Sequence, residues 1–568
     1  WLAQGHIGEN HYPDYVSHTD RNNLGNETRH ACIWDEGYLQ PMEEAFGALI
    51  RRYADNPAVE MWELYLTDND GVFEHKTVDG KTALGGFGPH AQAAWRVYLR
   101  DTLGISLQQV RRWTGRDLGS WADVRLPAHK KGVPEAYYAH FLDFRFRGVA
   151  EARRRQLEVV QKNDDDTPAL MMSGGPSAYI GYNNGDHIGA YIPLLDEYDG
   201  CQRVGACNTM DKWLSWGQWA SDRDLMLHGE VASVPPLSVD APKAANHCAL
   251  FGATSASYCG YRMGYFLHNW ARYLPYMARP LDAERLYDPV AAFFSVETMR
   301  NLLIIENNEV MELGRHTFER GAKGFHVTNL SYHLQADRDE TWDRAPIMFD
   351  MMSRDLGDDA RRRLIDFCRN GGIFVADTVT DDRAGYRFFE DAGIELTDSD
   401  DETARFAAGP AFSCPEGSFR IVKTSGADTM ASSEHGPVLV AKPLGQGAIV
   451  VAGFPLHLHR NVPLMKQVHR RVLARKDVTP LIQTEAPWSE WRAFRTDEGF
   501  LLVGLNNHFR EKDIALRLRL PWEASAYRVR DVYRGTTLGD ISVTDGQLSC
   551  TTTLEALSPA YITLKPRR

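Results

Sequence analysis

The chain has 568 residues, 43% hydrophobic, 24% charged and 11% aromatic, which is globular composition long enough for two to four domains. It excludes a mainly disordered, collagen-like or small disulfide-framework protein. The 76 acidic residues outnumber the 63 basic ones, and the resulting charge of −13 repels phosphate backbones and anionic lipid, so neither nucleic acid nor membrane is an expected partner.

In chain order, residues 1–290 alternate short apolar runs with long amphipathic segments, the pattern of parallel strands joined by helical crossovers. Strands are predicted at Ala58–Leu66, Ala169–Ser173, Gln202–Cys207, Leu225–Val231 and Ser257–Phe266. Helices are predicted at Pro41–Tyr53, His90–Leu103 and Glu135–Gln161, the last with Tyr138, Phe141, Leu142 and Val149 on its apolar side. From about residue 298 the pattern restarts: strands at Asn301–Glu306 and Gly324–Thr328, a helix at Asp358–Arg369 closed by Gly371-Gly372, and the strand Ile373–Asp377. Two further strands, Pro437–Ala441 and Ala448–Gly453, precede a helix near Leu464–Leu473 and complete a second, smaller α/β domain. After Thr479 helical periodicity gives way to short alternating runs (Trp491–Arg495, Gly499–Asn506, Asp513–Leu518, Tyr527–Val532, Ala560–Lys565), an antiparallel β domain.

Common cofactor signatures are missing, and no cofactor is expected. Asp79-Gly80-Lys81-Thr82 resembles the end of a phosphate loop, but the glycine that loop needs first would be His75. There is no GxGxxG, HExxH or CxxC, and the Cys201/Cys207 and Cys248/Cys259 spacings fit no tight ligand set, so no metal is expected and these thiols read as buried. No run approaches the roughly 18 apolar residues of a membrane span. Residues 1–20 lack the basic-then-apolar layout of a signal peptide, and the compartment stays open, cytoplasmic before secreted.

Two acids stand out. In Arg51–Gly71 (RRYADNPAVEMWELYLTDNDG) a helix ends, Asn56-Pro57 breaks it, and a strand delivers Asp68, Asn69 and Asp70 at its carboxyl end, where parallel-barrel enzymes keep catalytic groups. Asp-Asn-Asp-Gly is also good turn composition. In Asp224–Pro236 (DLMLHGEVASVPP) Glu230 sits at the far end of an apolar strand, and the alternative is a glutamate on an exposed loop. Two carboxyl groups at the ends of two barrel strands are the equipment of glycoside hydrolysis, one to protonate the leaving oxygen and one to attack the anomeric carbon or activate water. Tyr179, Tyr182, Asn183, Asn184 and His187 follow Gly174-Gly175 and suit a pocket; Tyr261, Arg262, His268, Asn269 and Trp270 surround the last strand and suit a pocket or the core. Trp213, Trp216 and Trp219 fit either a sugar-stacking platform or a buried helical stripe.

With these segments in place, the run Trp1–Gly71, with its WL, YP, RH and RYADNPAVEMW, resembles the central barrel of the family 42 glycoside hydrolases, the bacterial β-galactosidases. So does Ala93–Trp121 with TGRDLGSW, and the likeness continues in order to the C-terminus. The resemblance implies a (β/α)8 barrel over 1–295, a flavodoxin-like, amidotransferase-like domain that builds a homotrimer over 296–480, and a small β-sandwich over 481–568. It implies an oligosaccharide substrate, a retaining mechanism, Asn69 on the sugar 2-hydroxyl, Asp70 as acid/base and Glu230 as nucleophile, with Tyr182, Asn183, His187 and Trp270 binding substrate. A pseudo-enzyme that binds carbohydrate, or a barrel glycosidase for another sugar, are the alternatives. The sequence departs from the family in reading Asn-Asp where the family has Asn-Glu, two residues further beyond Trp62. Aspartate is one methylene shorter, so the backbone must advance to keep the roughly 5–5.5 Å carboxyl spacing of a retaining enzyme. Five strands before residue 290 are three fewer than a closed barrel needs, and the chain opens on Trp1, so an N-terminally truncated barrel is expected.

Overall fold

The computed structural model describes residues 19–59, 61–64, 75–78, 81–128, 132–173, 194, 197–198, 201–205, 227–232, 255–259, 274–277, 283–298, 324–325, 328–351, 353–414, 417–456, 461–486, 489–506, 510–556 and 558–567. They divide into two compact units, one built mainly from the chain up to Gly205 and the other mainly from Gly229–Thr298 and His316 onward.

The first unit opens with a hairpin, β1 (Thr19–Arg21) and β2 (Glu27–Ala31), and the helix α1 (Glu36–Tyr53). Asp35 starts α1 by accepting the Gly37 amide, and Arg51 and Arg52 close it on the side where the helix dipole favours cations. Then come β3 (Trp62–Leu64), the hairpin β4 (His75–Val78) and β5 (Lys81–Leu84), α2 (Pro89–Val97), α3 (Leu107–Thr114) and the 29-residue α4 (Glu135–Asn163). The predicted helix His90–Leu103 is thus α2 continued by one π turn, Tyr98–Thr102.

The core of this unit is aromatic. Trp95 of α2 is fully buried, edge-on to Tyr137, Phe141 and Phe144 of α4. The predicted apolar side of α4, Tyr138, Phe141, Leu142 and Val149, is buried throughout. Arg155 of α4 reaches across to Glu36 at 2.6 Å and Glu43 at 2.5 Å, tying α4 to α1.

The strands β6 (Ala169–Ser173), β7 (Cys201–Gly205), β8 (Leu227–Ala232) and β9 (Ser255–Cys259) join β3 in a sheet of order β3-β6-β7-β8-β9. β3 pairs parallel with β6, Trp62 opposite Ala169, and β6 parallel with β7, Leu170 opposite Cys201. All five were predicted, and their strictly sequential order is what repeated strand–helix winding produces.

In the second unit β10 (Glu284–Leu286) is followed at once by β11 (Val290–Phe294), then β12 (His333–Ala336), β13 (Ile347–Asp350) and β14 (Ile373–Ala376). After β15 (Glu395–Asp398), β16 (Thr403–Phe406), β17 (Ala411–Ser413), β18 (Arg420–Lys423) and β19 (Asp428–Ser432) come β20 (Pro437–Leu444) and β21 (Gly447–Ala452). The nine-stranded sheet runs β12-β11-β13-β14-β21-β20-β19-β16-β17, and its first five strands are parallel. Ranked by sequence they lie in the order 2-1-3-4-5, the flavodoxin-like winding. The remaining four strands add an antiparallel extension, of which the sequence announced only β20, as Pro437–Ala441. The helix Asp358–Arg369 ends as predicted: the Gly372 amide bonds the Phe367 carbonyl, the Gly371 amide that of Cys368, and Gly371 has φ 107°. Cys368 is buried in that helix, far from the strand-to-helix elbow an amidotransferase nucleophile requires.

Two expectations change. Gly324–Thr328 is not a strand: Gly324, Phe325 and Thr328 are helical, Phe325 being turned in to stack on His469. Val290–Phe294, placed by sequence before the 295/296 boundary, is the first strand of the α/β sheet; its VAAFF is buried on both faces and so shows no alternation. Asn301–Glu306 lies outside the described residues.

The C-terminal layer has two antiparallel sheets. With β22 (Ile482–Gln483), β23 (Ser489–Thr496), β24 (Gly499–Asn506), β25 (Lys512–Leu518), β26 (Ala526–Asp531), β27 (Thr536–Ser542), β28 (Leu548–Leu554) and β29 (Pro559–Pro566), one runs β10-β23-β24-β29-β26-β27 and the other β22-β25-β28. Trp491, Phe500 and Leu502 from the first share one core with Ile514, Leu516 and Leu548 from the second, which makes a sandwich. Asp288 ties the layers of this unit: its carboxylate accepts the amides of Ser331 and Leu481 at 2.8 and 2.7 Å.

Buried acids also cluster at the carboxyl edge of the parallel strands. Asp350, the last residue of β13, accepts the Thr380 hydroxyl at 2.6 Å, and Asp377, just past β14, accepts the amides of Val379 and Leu456. Burial pushes Asp350 up to about 6; burial and then the Asp350 charge push Asp377 up to about 7. An acid raised on folding stabilises fully below its unfolded value near 4, and that stability is lost as pH rises through 6–7. Asp350→Asn cannot ionise and is expected to gain on the wild type by on the order of 1–3 kcal/mol between pH 5 and pH 8, in urea unfolding. The comparison cancels the titration of the half-buried His333 and the buried His469, whose depressed values (about 4 and about 3) act in the opposite sense. A wild-type–variant gap independent of pH would refute the expectation.

Candidate active site

Strand β3 is fastened at its start. The Trp62 amide donates to the Pro168 carbonyl at 3.0 Å, and the indole Nε1 donates to Asp164 Oδ2 at 2.7 Å. Asp164 caps the end of α4 and also accepts the Thr167 amide at 3.1 Å, so the α4-to-β6 turn and the root of β3 share one carboxylate. Burial pushes Asp164 up, but the hydrogen bonds from Trp62 and Thr167 outweigh it and hold the carboxyl below its usual range. Asp164→Ala orphans a buried indole N–H and is expected to cost about 1–3 kcal/mol in denaturant unfolding, with Trp62→Phe in the same background recovering part of it. Equal stability of Asp164→Ala and wild type would show that the contact contributes nothing.

Asp70 follows the last residue of β3 by six positions and, with Asn69, lies outside the described residues. Glu230 is the fourth residue of β8, so its backbone is in a sheet strand as predicted, while its side chain is outside the described set. Tyr182, Asn183, His187 and Trp270 lie outside it too, as do Tyr179, Asn184, Trp213, Trp216, Trp219, Tyr261, Arg262, His268 and Asn269.

What sequence reasoning missed is the support ahead of α2. Asp20 is buried and accepts the amides of Arg21, Gly86 and Gly88, while Arg145 Nη1 donates to the Gly85 carbonyl at 2.6 Å. A Cβ at Gly88 would stand 2.7 Å from Asp20 Oδ1. The signal was the Gly85-Gly86-Phe87-Gly88 run itself, a row of amides without side chains that a buried acid can hold.

In doubly wound sheets ligands sit where the strand order reverses, here between β11 and β13. Asp337 lies on the other flank of β11, just past the end of β12, where it accepts the Ser295 hydroxyl at 2.9 Å and the Val296 amide at 3.1 Å. Among the described residues one group could offer three metal-ligand atoms, Asp400, Asp401 and His435. There Asp401 is already engaged, with the His435 Nδ1 at 2.6 Å and the His435 amide at 2.9 Å, while Asp400 and His435 face solvent. Among the described residues no helix is long and apolar enough to cross a membrane.

No family sequence model and no curated protein sequence matches the chain. Solved structures do. Gan42B, a GH42 β-galactosidase from G. stearothermophilus in a catalytic-mutant form, superposes with a TM-score of 0.69 at 13% identity, covering 98% of this chain and 87% of its own. A β-galactosidase from Bacillus circulans sp. alkalophilus gives 0.65 at 12% identity, covering 97% and 86%. The fold is that of the GH42 β-galactosidases. The α-L-fucosidase isoenzyme 2 of Paenibacillus thiaminolyticus matches as well, at 0.65 and 11% identity over 98% of this chain and 85% of its own, so sharing the GH42 fold does not by itself fix the sugar.

Proposed function

We propose that the protein is a glycoside hydrolase of the GH42 type, cleaving β-galactosides or related oligosaccharides by a retaining double displacement. The observation that carries this reading is a fold shared with GH42 enzymes over 97–98% of the chain, with Glu230 inside one sheet strand and Asp70 shortly beyond another. In the first step the Glu230 carboxylate attacks the anomeric carbon as the glycosidic C–O bond breaks, and Asp70 gives its proton to the leaving oxygen. In the second, Asp70 takes a proton from water, which displaces Glu230 and releases the sugar with its configuration retained. Asn69 holds the sugar 2-hydroxyl, and Tyr182, Asn183, His187 and Trp270 line the substrate. The first part of the chain contributes part of a (β/α)8-type barrel, the flavodoxin-like sheet builds a homotrimer, and the sandwich completes each subunit.

The Asn69-Asp70 pair, in place of Asn-Glu, is the one feature favouring a carbohydrate-binding pseudo-enzyme. Assay against aryl β-galactoside, α-L-fucoside and α-L-arabinoside, with the first-formed anomer followed by NMR, separates the readings. Hydrolysis of the β-galactoside to the β-anomer is expected. Oligosaccharide binding by calorimetry without hydrolysis of any member would overturn the enzymatic reading, and release of the α-anomer would overturn the retaining one.

A further inference from the structure

Within the second unit, a cavity of about 300 Å³ lies beside the helix Val462–Ala474 and the segment Val478–Glu485 that leads into the sandwich. This is at the lower end of the size range of small-molecule sites. One wall is apolar, made by Leu330, Leu473, Val478 and Ile482, and the other carries Lys466 and Arg470 one helical turn apart. The charges do not balance. Arg470 pairs with Glu485 at 3.0 Å, both exposed, whereas Lys466 makes no ion pair among the described residues; its ammonium donates to the Thr484 carbonyl at 3.1 Å. The ammonium has three N–H donors, and that carbonyl takes one of them. Burial, as the largest influence, lowers the Lys466 pKa and Arg470 adds to it, while the Glu485 charge offsets them only in part, so an anion placed there would relieve a cost of the folded state.

His469 does not add to the positive charge. Burial holds it down to about 3, and it packs between Phe325 and Phe349. The His469 Nδ1 lies 3.1 Å from the Thr328 hydroxyl oxygen, and the ring is a neutral wall.

We propose that this cavity binds a small organic carboxylate, its carboxylate on Lys466 and its hydrocarbon part against Leu330, Leu473 and Ile482. The inference is independent of the glycosidase reading, and none of these residues belongs to the proposed catalytic machinery. The test uses the full chain with sodium benzoate, its uncharged isostere benzamide and sodium phosphate at constant ionic strength, followed by calorimetry and by protection of Lys466 from reductive methylation. Benzoate is expected to bind at least about tenfold more tightly than benzamide, and to protect Lys466. Lys466→Met is expected to abolish that preference and Lys466→Arg to restore it; if Lys466→Met does not fold, Arg470→Gln at the exposed edge is expected to weaken benzoate several-fold and leave benzamide unchanged. Equal binding of benzoate and benzamide, no binding of either, or phosphate binding in place of benzoate would overturn the proposal.

Discussion

Asp70→Asn is expected to slow hydrolysis of a β-galactoside with a basic leaving group by about 10²–10⁴-fold, the usual worth of a positioned general acid. With an acidic nitrophenol as leaving group the loss in the first step should be small, because that oxygen departs without a proton. Slow water attack then makes the glycosyl-enzyme accumulate, and an added small anion such as azide should restore turnover. Glu230→Gln removes the attacking oxygen and should silence every leaving group alike. A leaving-group series of kcat/KM for both variants checks the assignment; a uniform loss in Asp70→Asn, or retained activity in Glu230→Gln, would remove the respective residue from its role. The same series addresses the short side chain at position 70, since an aspartate that fails to reach the leaving oxygen leaves Asp70→Asn indistinguishable from the wild type.

Asp20→Ala is expected to destabilise the first unit by about 3–5 kcal/mol. Three amides, of Arg21, Gly86 and Gly88, lose their acceptor together; the two glycine amides are buried, and each unsatisfied buried group costs about 1–3 kcal/mol before relaxation. Arg145 loses the nearby negative charge as well. Burial, the largest influence on Asp20, raises its pKa, and the three amides with Arg145 pull it back only in part. Urea unfolding followed by tryptophan fluorescence suits the measurement, because Trp95 sits in the core that α2 builds. A loss below about 1 kcal/mol would mean that the Gly85–Gly88 loop is held by the burial of Phe87 rather than by Asp20.

The helices and most strands could be read from the chain because their signals are local. Asp358–Arg369 declared itself by a terminal glycine pair and the apolar strand after it, and the matched residues are those the structure assigns. Gly499–Asn506 was legible through its apolar run between turn residues. What was not legible depended on partners remote in sequence. Gly324–Thr328 has strand-like composition but is helical where described, its Thr328 hydroxyl turned back onto Gly324. Beyond β20, the antiparallel extension β19-β16-β17 consists of short strands whose pairing no residue pattern announces. The buried polar groups Asp20, Arg145 and Asp164 are ordinary charged residues in the sequence; only folding surrounds them with amides, a carbonyl and an indole.

The sandwich is not contiguous in the gene product. β10 lies upstream of the whole flavodoxin-like sheet, yet its residues Glu284, Arg285 and Leu286 lie opposite Arg495, Phe494 and Ala493 of β23. In effect the α/β layer is spliced into a loop of the β layer. A fragment beginning at residue 481 would lack its outermost strand and present β23 as a bare, apolar edge, an invitation to self-association. Grafts or expression fragments that respect the fold must therefore start before Glu284, and swapping the C-terminal module between relatives means moving both layers together.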